Sequence, residues 1–99
     1  MPDDAPDQID LQHDEGGSRF VLRSAGEDVG LIEYRRDGDV FDLLHTEVLP
    51  QGQGNGLGKV LVREALDHVR ADGGKIVATC PFVARFVQEH EDYGDLVAA

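Results

Sequence analysis

Between Ser18 and Leu49 apolar and polar residues alternate, and turn residues interrupt the alternation twice. Ser18–Ser24 (SRFVLRS) and Val29–Arg36 (VGLIEYRR) each read as a strand, separated by a turn around Gly26. Asp37-Gly38 is a hairpin signal, because glycine tolerates the positive φ that tight hairpin turns need. Asp39–Leu49 (DVFDLLHTEVL) is a third strand, ended by Pro50. Three strands in hairpin succession predict an antiparallel meander. The period then becomes helical. Leu57, Leu61, Ala65, Leu66 and Val69 form an apolar stripe, while Lys59, Arg63, Glu64, Asp67 and Arg70 take mainly the other faces. A helix is therefore expected from about Leu57 to Ala71, stopped by Gly73-Gly74. Lys75–Thr79 (KIVAT) reads as a short buried strand, so strand, helix and strand make a βαβ unit with parallel neighbours. Pro81 suits the first turn of a last helix, Phe82–His90, whose apolar face is Phe82, Val83, Phe86 and Val87.

Residues 1–17 carry two prolines, a terminal Gly-Gly pair, six acids and no Lys or Arg. They are expected to be a mostly disordered acidic lead-in, with Ile9 and Leu11 placed to start an edge strand and His13 a solvated tail residue. The domain proper is expected to span residues 18–99, with no repeat and no second domain. The chain of 99 residues has a net charge of −11, and residues 18–99 hold fourteen acids against nine bases. That balance disfavours nucleic acid and anionic membrane surfaces as partners, since both select a basic face. Forty per cent hydrophobic residues suffices for a globular core. Cys80 is the one cysteine, so no intrachain disulfide can form and secretion finds no support. No stretch approaches the roughly 18 apolar residues of a membrane helix, and the N-terminus does not resemble a targeting peptide. The expected location is the cytoplasm, as monomer or homodimer.

The chemistry concentrates in Gln51–Lys59, which reads Gln-Gly-Gln-Gly-Asn-Gly-Leu-Gly-Lys between the third strand and the first helix. Alternating glycines let backbone approach a ligand closely and align N–H groups. The following helix adds unpaired N–H groups and a positive dipole end. The combination suits a phosphate or pyrophosphate. A Walker-type loop fails, because Gln53 stands where its first glycine should be and Val60 where Ser or Thr should be. A dinucleotide fingerprint fails as well: from Gly52 it ends on Leu57, and from Gly54 on Lys59.

The spacing that fits is Gln-x-x-Gly-x-Gly, as Gln53, Gly56 and Gly58, at the start of a helix that follows a β-meander. In this the sequence resembles the GNAT acetyltransferase superfamily. His45-Thr46-Glu47-Val48, Gly54–Lys59 and Thr79-Cys80-Pro81-Phe82-Val83 narrow the resemblance to a small single-domain subgroup of about a hundred residues, over roughly Phe20 to Val97. It implies a minimal α/β GNAT-like fold: an antiparallel β-meander, a βαβ unit and a C-terminal helix. It also implies acetyl-CoA as cosubstrate. The pyrophosphate would lie on the backbone of Gln53, Gly54, Asn55, Gly56, Leu57, Gly58 and Lys59. The pantetheine arm would run beside Thr46, Val48 and Leu49, where Pro50 ends the strand's own ladder.

Acetyl transfer to an amine requires an acceptor for the amine proton, stabilisation of the thioester oxygen and a proton for the leaving thiolate. Glu47 matches the place of a catalytic or water-relay carboxylate in the family; otherwise it is a solvent-facing strand acid. His45, two residues earlier, shares its face in an ideal strand and offers an imidazole that could serve as a base, or else it is a polar core histidine. Cys80, just before the last helix, is an acyl-accepting nucleophile, a general acid or a lining residue. Tyr93 follows the last helix, where the family often places a thiolate-protonating tyrosine; packing is its other role. No metal site is expected, because no His/Cys/Asp cluster has ligand spacing. The function these features imply is an acetyl-CoA-dependent N-acetyltransferase acting on a primary amine: a small amine, a protein lysine or an N-terminus. The alternative is a non-catalytic acetyl-CoA-binding sensor or interaction module.

Overall fold

The computed structural model describes residues 9–54 and 56–98. One five-stranded sheet runs in chain order, with β1 (Ile9–Asp14), β2 (Arg19–Ser24), β3 (Glu27–Asp37) and β4 (Val40–Val48) antiparallel and β5 (Lys75–Ala78) parallel to β4. Helix α1 (Leu57–Ala71) makes the crossover from β4 to β5, and α2 (Pro81–Glu89) follows β5. Short 3₁₀ turns occupy Pro50–Gly52 and Glu91–Leu96. After the second turn the chain returns to the β5 edge, where Ala98 N–H donates to the Ile76 carbonyl. The meander, the parallel crossover and the last helix expected from the sequence are all present, with boundaries moved by one or two residues.

Both helices pack on one face of the sheet. Leu61, Val62, Ala65, Leu66 and Val69 of α1 and Val83 of α2 are fully buried against Phe20, Leu22, Ile32, Phe41, Leu43 and Ile76 of the strands. The apolar stripe of α1 is therefore the seam of the core, and its end is closed by Gly73 at φ +78, which only glycine adopts without strain. Gly74 is needed for another reason: a Cβ there would lie 2.8 Å from the Asp39 carbonyl oxygen.

The edge strand that Ile9 and Leu11 are placed to start is present, but the rest of the lead-in differs from expectation. Residues 9–14 are ordered as β1, paired with β2 in register from Ile9↔Ser24 to Asp14↔Arg19. Ile9 and Leu11 pack against the core, which is what holds this otherwise polar strand in place. The folded unit thus includes Ile9–Asp14 rather than starting at Ser18; residues 1–8 lie outside the described residues. His13 is not solvated. Its side chain is only 11% exposed, its ring stacks on Phe20 at 4.6 Å and meets His68 of α1 edge-on, and Nε2 lies 2.6 Å from the Tyr34 hydroxyl.

One irregularity positions the functional region. Glu33 pairs with His45, but Tyr34 pairs with Leu43, so Leu44 is an extra residue in β4. Such a bulge reverses which way the following side chains point. Phe41 and Leu43 face the helices, and beyond the bulge it is Thr46 and Val48 that do so. His45 and Glu47 are turned to the opposite face, which no described helix covers.

Candidate active site

The glycine loop forms one end of a cavity of about 400 Å³ lined by Val48, Gly52, Gln53, Gly54, Gly56, Leu57, Gly58, Lys59 and Phe82. Gly54 at φ +88 and Gly56 at φ +68 adopt left-handed backbone, and a Cβ on either would project into open space. Gly56 is the N-cap residue of α1 and offers no side-chain hydrogen bond to the helix. The first N–H groups of α1 are thus left for an external acceptor. The first turn contains no acid, and Lys59 adds a positive charge beside it. These features fit a phosphate-bearing ligand.

The loop is anchored at its base. Leu49 N–H donates to the Val29 carbonyl at 2.9 Å, and Gln51 Nε2 donates to the Asp28 carbonyl at 2.6 Å. Gln53 Nε2 donates to the Val48 carbonyl at 3.1 Å. Leu49, expected beside the pantetheine arm, therefore has its N–H committed to β3, and neither it nor Thr46 lines the cavity. Val48, Gln53, Gly54, Gly56, Leu57, Gly58 and Lys59 do line it. Asn55 lies outside the described residues.

The cleft continues into the sheet. The β4–β5 ladder ends at Leu43↔Ala78, extended only by Cys80 N–H donating to the Leu43 carbonyl at 2.8 Å, while β4 runs on to Val48. Beyond this point no strand among the described residues pairs with the outer edge of β4. Cys80 sits there as the N-cap residue of α2, 5% exposed, with Sγ 3.4 Å from the Thr46 hydroxyl. Burial pushes its thiol up, but hydrogen bonds from the Thr46 side chain and from the backbone of Val83, Phe82 and Thr46 outweigh it, and the net effect is a lowered pKa.

His45 and Glu47 lie apart from Cys80, on the uncovered face. They are 57% and 51% exposed, and His45 Nε2 is 3.6 Å from Glu47 Oε1. Glu33 stands directly across from His45 on β3. His45 is thus not a core histidine. The three candidate catalytic residues divide into two groups, one on each side of the sheet at the end of the β4–β5 ladder. Tyr93 belongs to neither. Its hydroxyl donates to Asp67 Oδ1 of α1 at 2.7 Å, and burial together with that carboxylate pushes its pKa up to about 12.

Phe82 and Gly52 are cavity residues that the sequence reading did not assign. Phe82 was expected on the buried face of α2, yet it is 40% exposed while Val83 and Phe86 are buried. The available signal was its position directly ahead of Val83: an apolar residue at the edge of a stripe, next to a helix start that faces the loop.

A profile described as GCN5-related N-acetyl-transferase matches residues 19–96. The chain belongs to this family. Among relatives of this GCN5-related N-acetyltransferase family member, the protein NATD1 of Bos taurus is 34% identical over 91 residues, covering 87% of this chain and 80% of the relative. Human NATD1 is 33% identical over 84 residues, covering 83% and 74%. The solution structure of a GCN5-like protein from Staphylococcus aureus superposes with a TM-score of 0.67 at 24% identity, over 93% of this chain and 90% of that one, and so shares its fold. A GNAT family acetyltransferase from Brucella melitensis, solved in complex with acetyl-CoA, matches with a TM-score of 0.50 at 26% identity, over 69% and 50% of the two chains.

Proposed function

We propose that this protein binds acetyl-CoA along the cleft from the Gln53–Lys59 loop to Cys80 and transfers the acetyl group to a primary amine. The observation that carries the reading is the continuity of two features. An anion site with an uncapped helix start and left-handed glycines opens onto the outer edge of β4 beyond Leu43, where no described strand pairs and the Val48 carbonyl accepts the Gln53 side chain. A ligand with a phosphate end and an extended amide arm matches both. The acetyl-CoA complex of the Brucella melitensis relative supports the same ligand.

In the reaction the amine nitrogen forms a bond to the thioester carbonyl carbon, the carbon–sulfur bond breaks, the amine gives up a proton and the thiolate gains one. Glu47 or His45 takes the amine proton, because both stand exposed on the face from which an acceptor can approach. Cys80, on the helix side beside Thr46, lines the thioester end, where its thiol can protonate the leaving thiolate as the amine attacks the carbonyl carbon directly. Glu33 and Glu47 beside His45 make the approach acidic, which favours a cationic acceptor such as a polyamine, a lysine side chain or an N-terminus. The same exposure supports a second reading, a binder that turns over slowly, because no described element excludes water from His45 and Glu47.

Thermal unfolding with and without acetyl-CoA, with NADH and ATP as controls, tests binding. Release of free thiol when spermidine, lysine-containing peptides or free N-termini are supplied tests transfer. Stabilisation specific to acetyl-CoA plus amine-dependent thiol release, reduced in Glu47→Gln, is the expected result. Stabilisation without thiol release selects the binding module, and no stabilisation at millimolar acetyl-CoA refutes both.

A further inference from the structure

β4 turns Phe41 and Leu43 toward the helices before the bulge, and Thr46 and Val48 after it; Thr46 is the polar residue of that row. A half-buried hydroxyl among apolar side chains needs a partner. The partner is the Cys80 thiol, whose Sγ lies 3.4 Å from Thr46 Oγ1. Cys80 itself is fixed by its main chain. Its N–H donates to the Leu43 carbonyl at 2.8 Å, and its carbonyl accepts the Ala84 N–H at 3.0 Å. With the backbone held at both ends, the Thr46 hydroxyl orients the thiol. A hydroxyl can also serve both forms of the sulfur: it accepts from S–H, and after rotating about its C–O bond it donates to S⁻. A valine at this position would do neither.

We propose that Thr46 is a positioning residue for acetyl transfer that acts through Cys80: its hydroxyl orients the thiol at the end of the β4–β5 ladder, then stabilises the thiolate left when that proton moves to the CoA sulfur. This inference rests on the acetyl-transfer reading above. In the step, the amine nitrogen bonds to the carbonyl carbon, and the carbon–sulfur bond breaks with its electron pair on the CoA sulfur. The Cys80 S–H supplies the proton that this sulfur takes up. The amine proton goes to Glu47 or His45 on the opposite face. Exchange with solvent then returns a proton to Cys80 and removes one from the base, so the cycle closes. The N–H groups of Phe82, Val83 and Thr46 also favour the thiolate. They belong to the backbone, so the hydroxyl is the part of this support that a side chain supplies.

The test is steady-state thiol release from acetyl-CoA, with whichever of spermidine, a lysine-containing peptide or a peptide with a free N-terminus the parent turns over fastest. Thr46→Val keeps the β-branch that suits a strand and lowers kcat roughly tenfold or more, as for a lost hydrogen bond to a charged group. Both KM values stay within about twofold of the parent's, because Thr46 lies outside the cavity lining. Thr46→Ser, which keeps the hydroxyl, recovers most of the rate. In a Cys80→Ala background Thr46→Val changes kcat by less than about twofold, because the group it acts through is gone. Melting temperatures near the parent's check that the variants fold; if Thr46→Val does not, Thr46→Ala takes its place. A parental kcat in Thr46→Val, a loss that serine does not recover, or a loss that persists undiminished in the Cys80→Ala background each overturns the inference while leaving acetyl transfer intact. So does an acetyl group found on Cys80 that passes on to the amine. A parent that releases no thiol with any of the three amines overturns the underlying reading and this inference with it.

Discussion

Gly52→Ala should destabilise the fold through the anchor of the glycine loop. Gly52 is buried at the end of the Pro50–Gly52 turn, and a Cβ there would lie 2.9 Å from both Val29 Cβ and the Val29 carbonyl oxygen, and 3.2 Å from Leu57 Cδ1. Carbon contacts settle near 3.5–4.0 Å, so the turn must move by roughly 0.6 Å or more. Val29 cannot retreat easily. It is 3% exposed, and its carbonyl accepts the Leu49 N–H that ties the loop to β3. Overpacking of this kind costs about 1–3 kcal/mol, offset by about 0.4–1 kcal/mol because alanine restricts the unfolded chain. The net loss is about 1–2 kcal/mol, which for a domain of this size lowers the melting temperature by roughly 5–15 °C. Gly54→Ala meets no atom within 4 Å and carries only the strain of alanine at φ +88, so it should cost less, about 1 kcal/mol. Thermal and urea unfolding of the three proteins provide the measurement. Parent-like melting of Gly52→Ala, or a larger loss in Gly54→Ala, would refute the packing argument.

Three other outcomes follow from the titratable groups. Burial, then His68 and Arg36, hold His13 below its ordinary pKa of 6.5, with Glu15 and Asp72 pulling the other way. The unfolded chain therefore takes up that proton first, and the contribution of His13 is intact above pH 6.5 and lost as pH falls below it; a His13→Phe variant should show a flatter decline in melting temperature between pH 7 and 5, and an unchanged slope would count against the burial argument. Thr46→Val should raise the Cys80 thiol pKa, since the Thr46 side chain makes the largest of the contributions that lower it, while Thr46→Ser should not; ultraviolet absorbance of the thiolate against pH reads both. Tyr93→Phe removes the hydroxyl that Asp67 accepts and should cost about 1 kcal/mol in urea unfolding at neutral pH. Because the folded pKa of Tyr93 is raised to about 12, its contribution is present below pH 10 and lost as pH rises toward that value, so the difference between Tyr93→Phe and parent should shrink in strong alkali.

The sequence by itself determined most of the elements and the place of the glycine loop, because both are local properties. Strand alternation, the stripe from Leu57 to Val69 and the Gly73-Gly74 stop predict three strands and a helix from neighbouring residues alone. The glycines of Gln51–Lys59 predict exposed N–H groups before a helix, and the cavity lies there. Residues 9–14 were less legible, because two apolar side chains in an acidic stretch resemble a disordered tail until β2 and the Phe20–His68 pocket are present to receive Ile9, Leu11 and His13. The facing of the chemistry was decided only in three dimensions. Simple alternation through Phe41 and Leu43 would bury His45 and Glu47, and the extra residue Leu44, seen only in the pairing with β3, turns them outward and sends Thr46 inward to Cys80. A bulge is a property of the pairing between two strands, so no single strand's sequence displays it.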